Sequence, residues 1–195
     1  MTFYAFGKFV VNATFRMLFR FRVLGAENVP LEGGLVVAAN HLSNFDPPIL
    51  GIAMPRPVFY MAKKELFAMP VLGTLIRHMN AFSVDRQVGG TAALRASLRM
   101  LKEGRCVGIF PEGGRNVSGT REEKAGAAFL AAASGVPVVP AAIVGTRKLR
   151  PFGRVTVVFG EPIHIVRNRK SDDDDLEKGA AQIMQRIRAL EESIR

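Results

Sequence analysis

The strongest constraint on the fold is a regular alternation between short apolar runs and longer amphipathic stretches. Runs of apolar, largely branched residues predict β-strands at 35–39, 58–61, 81–84, 106–110, 136–143 and 155–159. Helical spacing of apolar residues predicts helices at 47–54, 65–79, 90–103, 122–134 and 173–193. Strands that alternate with helices are typical of an α/β domain, so we expect a mostly parallel mixed sheet flanked by helices.

Composition favours one globular domain. The chain has 195 residues, 48% of them hydrophobic, which is enough for a substantial core and excludes a disordered chain. The one cysteine, Cys106, excludes a disulfide framework and fits a reducing compartment. It lies in an apolar run, which indicates a buried structural thiol rather than a reactive one.

The net charge of +10 implies an anionic partner: nucleic acid, acidic lipid or a phosphorylated substrate. Nucleic acid is disfavoured because the basic residues are spread along the chain, without zinc-finger spacing or an RNP-like aromatic motif.

Residues 1–24 are rich in aromatic and basic side chains and predict an amphipathic helix. No apolar stretch reaches the length of about 18 residues that a membrane span needs. Lys8, Asn12, Arg16 and Arg20 recur every fourth residue, which forms one polar stripe on a helix. The rest of its surface is mostly apolar and includes the aromatic residues Phe3, Phe6 and Phe19. This pattern is typical of a helix in a membrane interface, although a helix packed on the domain at 25–195 would also fit it.

Residues 40–48 contain the first chemical motif, with His41 and Asp46 five positions apart. On a regular helix the two side chains would point about 140° apart. They can meet if His41 follows a strand and a turn brings the chain to a helix capped by Asp46, with Pro47 in its first turn. A histidine can then act as a general base that an aspartate orients. From this segment alone, a capping aspartate beside a polar loop histidine is an equally good interpretation.

A second motif follows the strand predicted at 106–110. Gly113 and Gly114 allow backbone N–H groups to turn toward an anion, and Arg115 adds a bidentate phosphate donor. Glu112 is placed to hold that arginine or to accept a hydrogen bond from a substrate hydroxyl. The alternative is a tight turn with a surface ion pair.

Other candidate residues follow predicted strands. Arg86 and Lys63 are placed to face a ligand crevice, or else to remain surface charges. The basic loop at 146–154 suits a lipid surface, an acidic cofactor or simply a solvated turn. His78 and His164 lack metal-ligand spacing and are interpreted as structural. The acidic run at 172–175 favours a helix start rather than a metal site.

Together these segments resemble the 1-acylglycerol-3-phosphate acyltransferase family of glycerolipid acyltransferases. Residues 40–46 match the family's first block, N-H-x-S-x-x-D, and residues 81–86 look like its second. Residues 110–115 look like the third block, F-P-E-G-T-R, and residues 136–143 like the proline-containing fourth. The resemblance covers roughly residues 25–145. Gly114 departs from it, because the family usually has threonine or serine there.

The resemblance implies a mechanism without a protein nucleophile. His41, oriented by Asp46, would remove the proton of a lysophosphatidate hydroxyl as it attacks an acyl thioester on coenzyme A or acyl carrier protein, giving phosphatidate for phospholipid synthesis. No metal or further cofactor is implied. The implied residues for binding the phosphate and glycerol are Arg86, Glu112, Gly113, Gly114, Arg115 and Lys63. The family also implies a peripheral or monotopic enzyme on the cytoplasmic face of an anionic membrane.

Two alternatives stay open. The same chemistry can act on glycerol 3-phosphate or another lysolipid, and the Gly114 departure bears on that choice. The basic charge and the N-terminal segment also suit a non-catalytic protein that binds membrane phospholipid.

Overall fold

The computed structural model describes residues 17–78, 80–84, 91–116, 123–165 and 172–194. The strands of these residues are β1 (Arg20–Leu24), β2 (Leu35–Ala39), β3 (Val58–Lys63), β4 (Ala81–Val84), β5 (Cys106–Ile109), β6 (Val138–Val144) and β7 (Arg154–Phe159). The helices are α1 (Asp46–Ala53), α2 (Lys64–Phe67), α3 (Pro70–His78), α4 (Thr91–Lys102), α5 (Gly126–Ser134) and α6 (Asp172–Ser193). A short 3₁₀ helix spans Ala26–Asn28.

The strands form one mixed sheet in the order β1-β7-β6-β2-β5-β3-β4. The five strands from β6 to β4 are parallel, β7 is antiparallel to β6, and β1 is parallel to β7. The carboxyl ends of the five parallel strands therefore meet at one edge of the sheet, where β1 and β7 begin. We call it the carboxyl edge. The predicted α/β architecture is confirmed.

Alternation along the central strand β2 divides the core into two layers. Every residue of β2 is buried, and successive side chains of a strand point to opposite faces. Leu35 and Val37 pack on the face that α1 covers, with Ile49 among their neighbours. Val36 and Ala38 pack on the other face, with buried side chains of α4, α5 and α6. A continuously apolar strand is what a sheet covered on both faces requires.

The N-terminal prediction is wrong over residues 20–24. Instead of ending a helix, Arg20–Leu24 forms β1, in which exposed and half-buried residues alternate, and it pairs with β7. The α/β domain therefore begins before residue 25. Phe19 packs half-buried against the core, whereas Arg20 is exposed. The other predicted membrane residues, Phe3, Phe6, Lys8 and Arg16, lie outside the described residues.

Several helix boundaries differ from the predictions. The helix predicted at 65–79 is two helices, and the second begins at Pro70, which suits a first helical turn but not a helix interior. The helix predicted from residue 122 begins at Gly126. The last helix begins at Asp172, so the acidic run does lie at a helix N-terminus.

Within the described ranges, none of the helices combines the length and apolarity that crossing a bilayer requires.

Candidate active site

His41 and Asp46 are brought together by the loop between β2 and α1. β2 ends at Ala39, His41 follows two residues later, and α1 begins at Asp46. His41 Nδ1 lies 3.0 Å from Asp46 Oδ2. The Asp46 side chain is fully buried, while 15% of the His41 side chain is exposed. The loop geometry that the spacing required is therefore present, and the imidazole can still be reached from outside.

Asp46 is not the helix cap that the sequence suggested. Phe45 occupies the N-cap position without a side-chain cap, and Asp46 is the first residue of α1. The Asp46 carboxylate points back into the loop, where Oδ2 accepts hydrogen bonds from the amides of Leu42 and Ser43 at 2.6 Å each. Because a carboxylate oxygen only accepts hydrogen bonds, its contact with His41 puts the proton on Nδ1. The lone pair of the imidazole is then on Nε2.

The third block contacts His41 through its backbone. The His41 amide donates to Glu112 Oε2 at 2.6 Å, and the Asn116 amide donates to the His41 carbonyl at 2.7 Å. Glu112 is only 4% exposed. Burial raises the pKa of the Glu112 carboxyl, an effect opposed by hydrogen bonds from the His41 amide and the Asn116 side chain. Both sides of the His41 peptide are therefore fixed by the loop that follows β5.

An aromatic stack lies beside the imidazole. The ring of Phe110 lies 4.4 Å from the ring of His41 at an interplanar angle of 29°. Tyr60 on β3 also stacks on Phe110, with ring centroids 6.4 Å apart and an interplanar angle of 17°. Gly108 makes room for it, because a Cβ atom there would lie 2.4 Å from the Tyr60 ring. The stack restricts the His41 ring on one face.

Asn40 is a site residue whose role the sequence did not reveal. Its side chain is 3% exposed and contacts Ile143 on β6 twice. The Asn40 amide nitrogen donates to the Ile143 carbonyl at 3.0 Å, and its oxygen accepts from the Ile143 amide at 2.7 Å. This fixes the end of β2 immediately before His41. The position of Asn40 beside His41 is visible in the sequence, but its partner, 103 residues away, is not.

The glycine turn lies at the carboxyl edge next to His41. Gly113 has a φ of +63°, which favours glycine, and its amide donates to the Phe110 carbonyl at 2.9 Å. Gly114 is half-buried and Arg115 is exposed. Lys63 is the last residue of β3 and so lies at the same edge, but its side chain is outside the described part.

The structure therefore brings together His41, Asp46, Glu112 and the turn at 113–115. Arg86, predicted to bind the acceptor, lies outside the described residues.

Cys106 and His164, both interpreted as structural from the sequence, lie apart from this site. Cys106 is fully buried in β5, and that burial raises the pKa of its thiol to about 12, so a thiolate is not available. This agrees with a structural thiol. His164 is exposed and lines a shallow cleft with Asp175 and Lys178.

Comparison with known proteins decides the family. A family model described as Acyltransferase matches residues 20–144. The chain belongs to the acyltransferase family. It is 37% identical over 150 residues to the 1-acyl-sn-glycerol-3-phosphate acyltransferase of Bacillus subtilis, with 73% of each chain covered. The same-named protein of Streptococcus pneumoniae is 32% identical over 162 residues, which are 80% of this chain and 60% of that protein.

A solved structure supports the same assignment. The fold is similar to the crystal structure of the 1-acyl-sn-glycerophosphate (LPA) acyltransferase, PlsC, from Thermotoga maritima. The TM-score is 0.69 at 31% identity, and the match covers 88% of this chain and 71% of that one. The resemblance found from the four sequence blocks is therefore confirmed, and the protein is an acyltransferase enzyme.

Proposed function

We propose that this acyltransferase moves an acyl chain from an acyl thioester to the free hydroxyl of 1-acylglycerol 3-phosphate, giving phosphatidate. The observation that carries the proposal is the 3.0 Å contact between His41 Nδ1 and the buried Asp46 carboxylate, which leaves Nε2 to accept a proton. The acceptor follows from the relatives, because the proteins of Bacillus subtilis and Streptococcus pneumoniae are both named for it.

The reaction needs one proton to be moved twice. His41 Nε2 takes the proton of the acceptor hydroxyl as its oxygen attacks the thioester carbonyl carbon. The tetrahedral intermediate collapses with cleavage of the carbon–sulfur bond, and the leaving thiolate receives the proton from His41. Asp46 orients the ring and stabilises the imidazolium that forms between these steps. Since the substrate supplies the nucleophile, much of the rate enhancement comes from holding the two substrates together.

The acceptor's phosphate is the proposed ligand of the turn after β5. Arg115 is exposed and precedes Asn116, whose amide donates to the His41 carbonyl. The positive φ at Gly113 lets backbone N–H groups of this turn face an anion. By resemblance, Arg86 and Lys63 complete the site. Glu112 belongs to the same block, but its contact with the His41 amide favours a positioning role.

The remaining parts of the proposal concern the donor and the membrane. The acyl thioester is carried by coenzyme A or acyl carrier protein, and the reaction needs no further cofactor. Because the acceptor and the product are lipids, the enzyme works on an anionic membrane surface, on its cytoplasmic face, as a peripheral or monotopic protein. The net charge of +10 supports this location, because it attracts the protein to anionic lipid.

A panel of acceptors tests the proposal. Purified protein is incubated with one donor, acyl-CoA or acyl carrier protein loaded with the same acyl chain. The acceptor is lysophosphatidate, glycerol 3-phosphate or a lysolipid without a phosphomonoester, and the acylated product is quantified. We expect the highest kcat/KM with lysophosphatidate. A higher value for another acceptor would overturn the acceptor assignment, and no product with any acceptor and either donor would overturn the reaction.

A further inference from the structure

A basic loop lies at the same edge of the sheet as His41. The loop at 145–153 follows the carboxyl end of β6 and leads into the start of β7. β1 also begins at this edge, next to β7. β7 lies two positions from β2 in the sheet, and neighbouring strands are about 4.8 Å apart, so this loop lies on the order of 10 Å along the edge from the strand that carries His41.

The positive charges of this region have no acidic neighbours in sequence. The exposed cations of the loop and the following strand are Arg147, Lys148, Arg150 and Arg154. Arg154 is the register partner of Arg20 on β1, so two exposed arginines occupy neighbouring positions on adjacent strands. Residues 144–160 contain no aspartate or glutamate, and neither do residues 17–26. Among the described residues none of these cations makes an ion pair. Adjacent uncompensated cations favour an anionic partner.

Two large apolar side chains project among these charges. Phe152 is 70% exposed and Leu18 is 41% exposed. The Phe152 amide donates to the Leu18 carbonyl at 2.7 Å, which ties the loop to the segment before β1. Phe152 has a φ of +60°, a conformation that is unfavourable for a phenylalanine. Leu149, in contrast, packs against the core. The loop is therefore anchored to the domain while it holds an aromatic ring in solvent.

We propose that residues 147–154, with Leu18 and Arg20, form a docking surface for an anionic lipid bilayer. We call this surface the basic platform. Cations that bind lipid phosphates around an apolar group that enters the acyl boundary are the combination that a bilayer interface selects. Phe45, in the loop beside Asp46, is a further exposed apolar residue at this edge, at 51%. This inference rests on the proposed function, since it places the bilayer next to the base that would accept the lipid's proton.

Paired substitutions test the platform against matched controls. Lys148→Ser with Arg150→Ser removes two cations, and Phe152→Asn removes the ring while keeping a residue that tolerates positive φ. The control for charge is Arg99→Ser with Lys102→Ser, two exposed cations at the end of α4, which leads to the opposite edge of the sheet. The control for apolarity is Leu31→Asn. Leu31 lies in the segment before β2 and is 68% exposed.

Binding to vesicles is the deciding measurement. Each variant is sedimented with vesicles of phosphatidylcholine, with and without phosphatidylglycerol. Loss of two interfacial cations should weaken binding to the anionic vesicles about 30-fold at low salt. The loss of affinity should be smaller at high salt, because salt screens the attraction between the cations and the lipid. Phe152→Asn should weaken binding to both vesicle types by on the order of tenfold. Each control should bind as the unaltered protein does.

Equal binding by the platform variants and their controls would overturn the proposal. So would an unchanged affinity for vesicles together with a lost affinity for acyl carrier protein, because the partner would then be an acidic protein. Strong loss of turnover on a soluble short-chain lysophosphatidate would also count against it, since it would place the loop in acceptor binding. The sedimentation needs no turnover, so it decides the docking surface even where the acyl-transfer assay is negative.

Discussion

The backbone amide of His41 donates a hydrogen bond to the Glu112 carboxylate at 2.6 Å, across 71 residues of sequence. Two of the sequence blocks therefore meet at the peptide of the proposed base. Asp46 fixes the ring of His41 and Glu112 fixes its main chain, so the imidazole is positioned from both sides. Such positioning matters because general-base catalysis requires the accepting nitrogen within hydrogen-bond reach of the hydroxyl.

Glu112→Gln should reveal the raised pKa of Glu112 as a pH-dependent difference in stability. A carboxyl whose pKa is raised in the folded state stabilises the fold below its ordinary pKa, and that contribution is lost as the pH rises through the raised value. Glutamine does not titrate. We therefore expect the free energy of unfolding of the unaltered protein, relative to Glu112→Gln, to fall as the pH rises from the ordinary glutamate pKa of 4.5 toward the raised pKa. Urea unfolding of both proteins across this range measures it, and a difference that stays constant or grows would contradict it.

Asp46→Asn should lower turnover with little change in substrate binding. An amide can present its NH₂ group to His41 Nδ1 and so favour the tautomer with its proton on Nε2, which cannot act as a base. We expect kcat to fall on the order of 10²–10⁴-fold, with KM for the thioester changed only slightly. Steady-state kinetics measure both constants. Asp174→Asn, on the exposed side of α6, is the matched control. If the Asp46 and Asp174 variants turned over alike, Asp46 would have no orienting role.

The prediction for Asn40→Ala concerns stability. The substitution leaves the buried amide and carbonyl of Ile143 without their side-chain partner. We expect the free energy of unfolding to fall by about 2–4 kcal/mol. Asn28→Ala is the control. The Asn28 side chain donates to the Phe159 carbonyl, and losing this contact should cost about 1 kcal/mol. Urea denaturation compares the two, and an equal cost would show that the double contact does not stabilise the site.

Gly113→Ala should destabilise the turn beside His41, whereas Gly126→Ala should not. At Gly113 the φ of +63° would cost an alanine about 1–2 kcal/mol, and its Cβ would press on the Lys124 side chain. At Gly126, the first residue of α5, a Cβ would meet nothing within 4 Å, so alanine should add up to about 1 kcal/mol of stability. Thermal unfolding of the two variants measures both effects. Equal midpoints for the two variants would refute the conformational argument at Gly113.

Local patterns predicted the parts of the fold in which sequence neighbours decide the structure. The apolar runs of β2 and β5 were found because a sheet covered on both faces needs them. The spacing of His41 and Asp46 required a turn between them if the two were to meet, and the structure has that turn. Pro70 was a local signal for the start of a new helix. The single helix predicted across it was wrong because proline disrupts a helix interior.

Contacts between distant residues were not predictable in this way. Arg20–Leu24 alternates as a strand should, but Arg20 also continued a helical stripe, and only the pairing of this segment with β7 decides between the two. The cap assigned to Asp46 failed because Leu42, Ser43 and His41 donate to its carboxylate instead. The partners of Asn40 and of the His41 amide lie 103 and 71 residues away, beyond the reach of any local pattern.

The turnover of His41→Ala tests the central claim most directly. Acyl transfer from acyl-CoA to lysophosphatidate is measured for this variant and for the unaltered protein, with circular dichroism and vesicle sedimentation confirming equal folding and equal membrane binding. If His41 is the general base, kcat should fall on the order of 10²–10⁴-fold while vesicle binding is unchanged. A kcat within about threefold of the unaltered protein, less than the smallest usual contribution of a general base, would contradict the account.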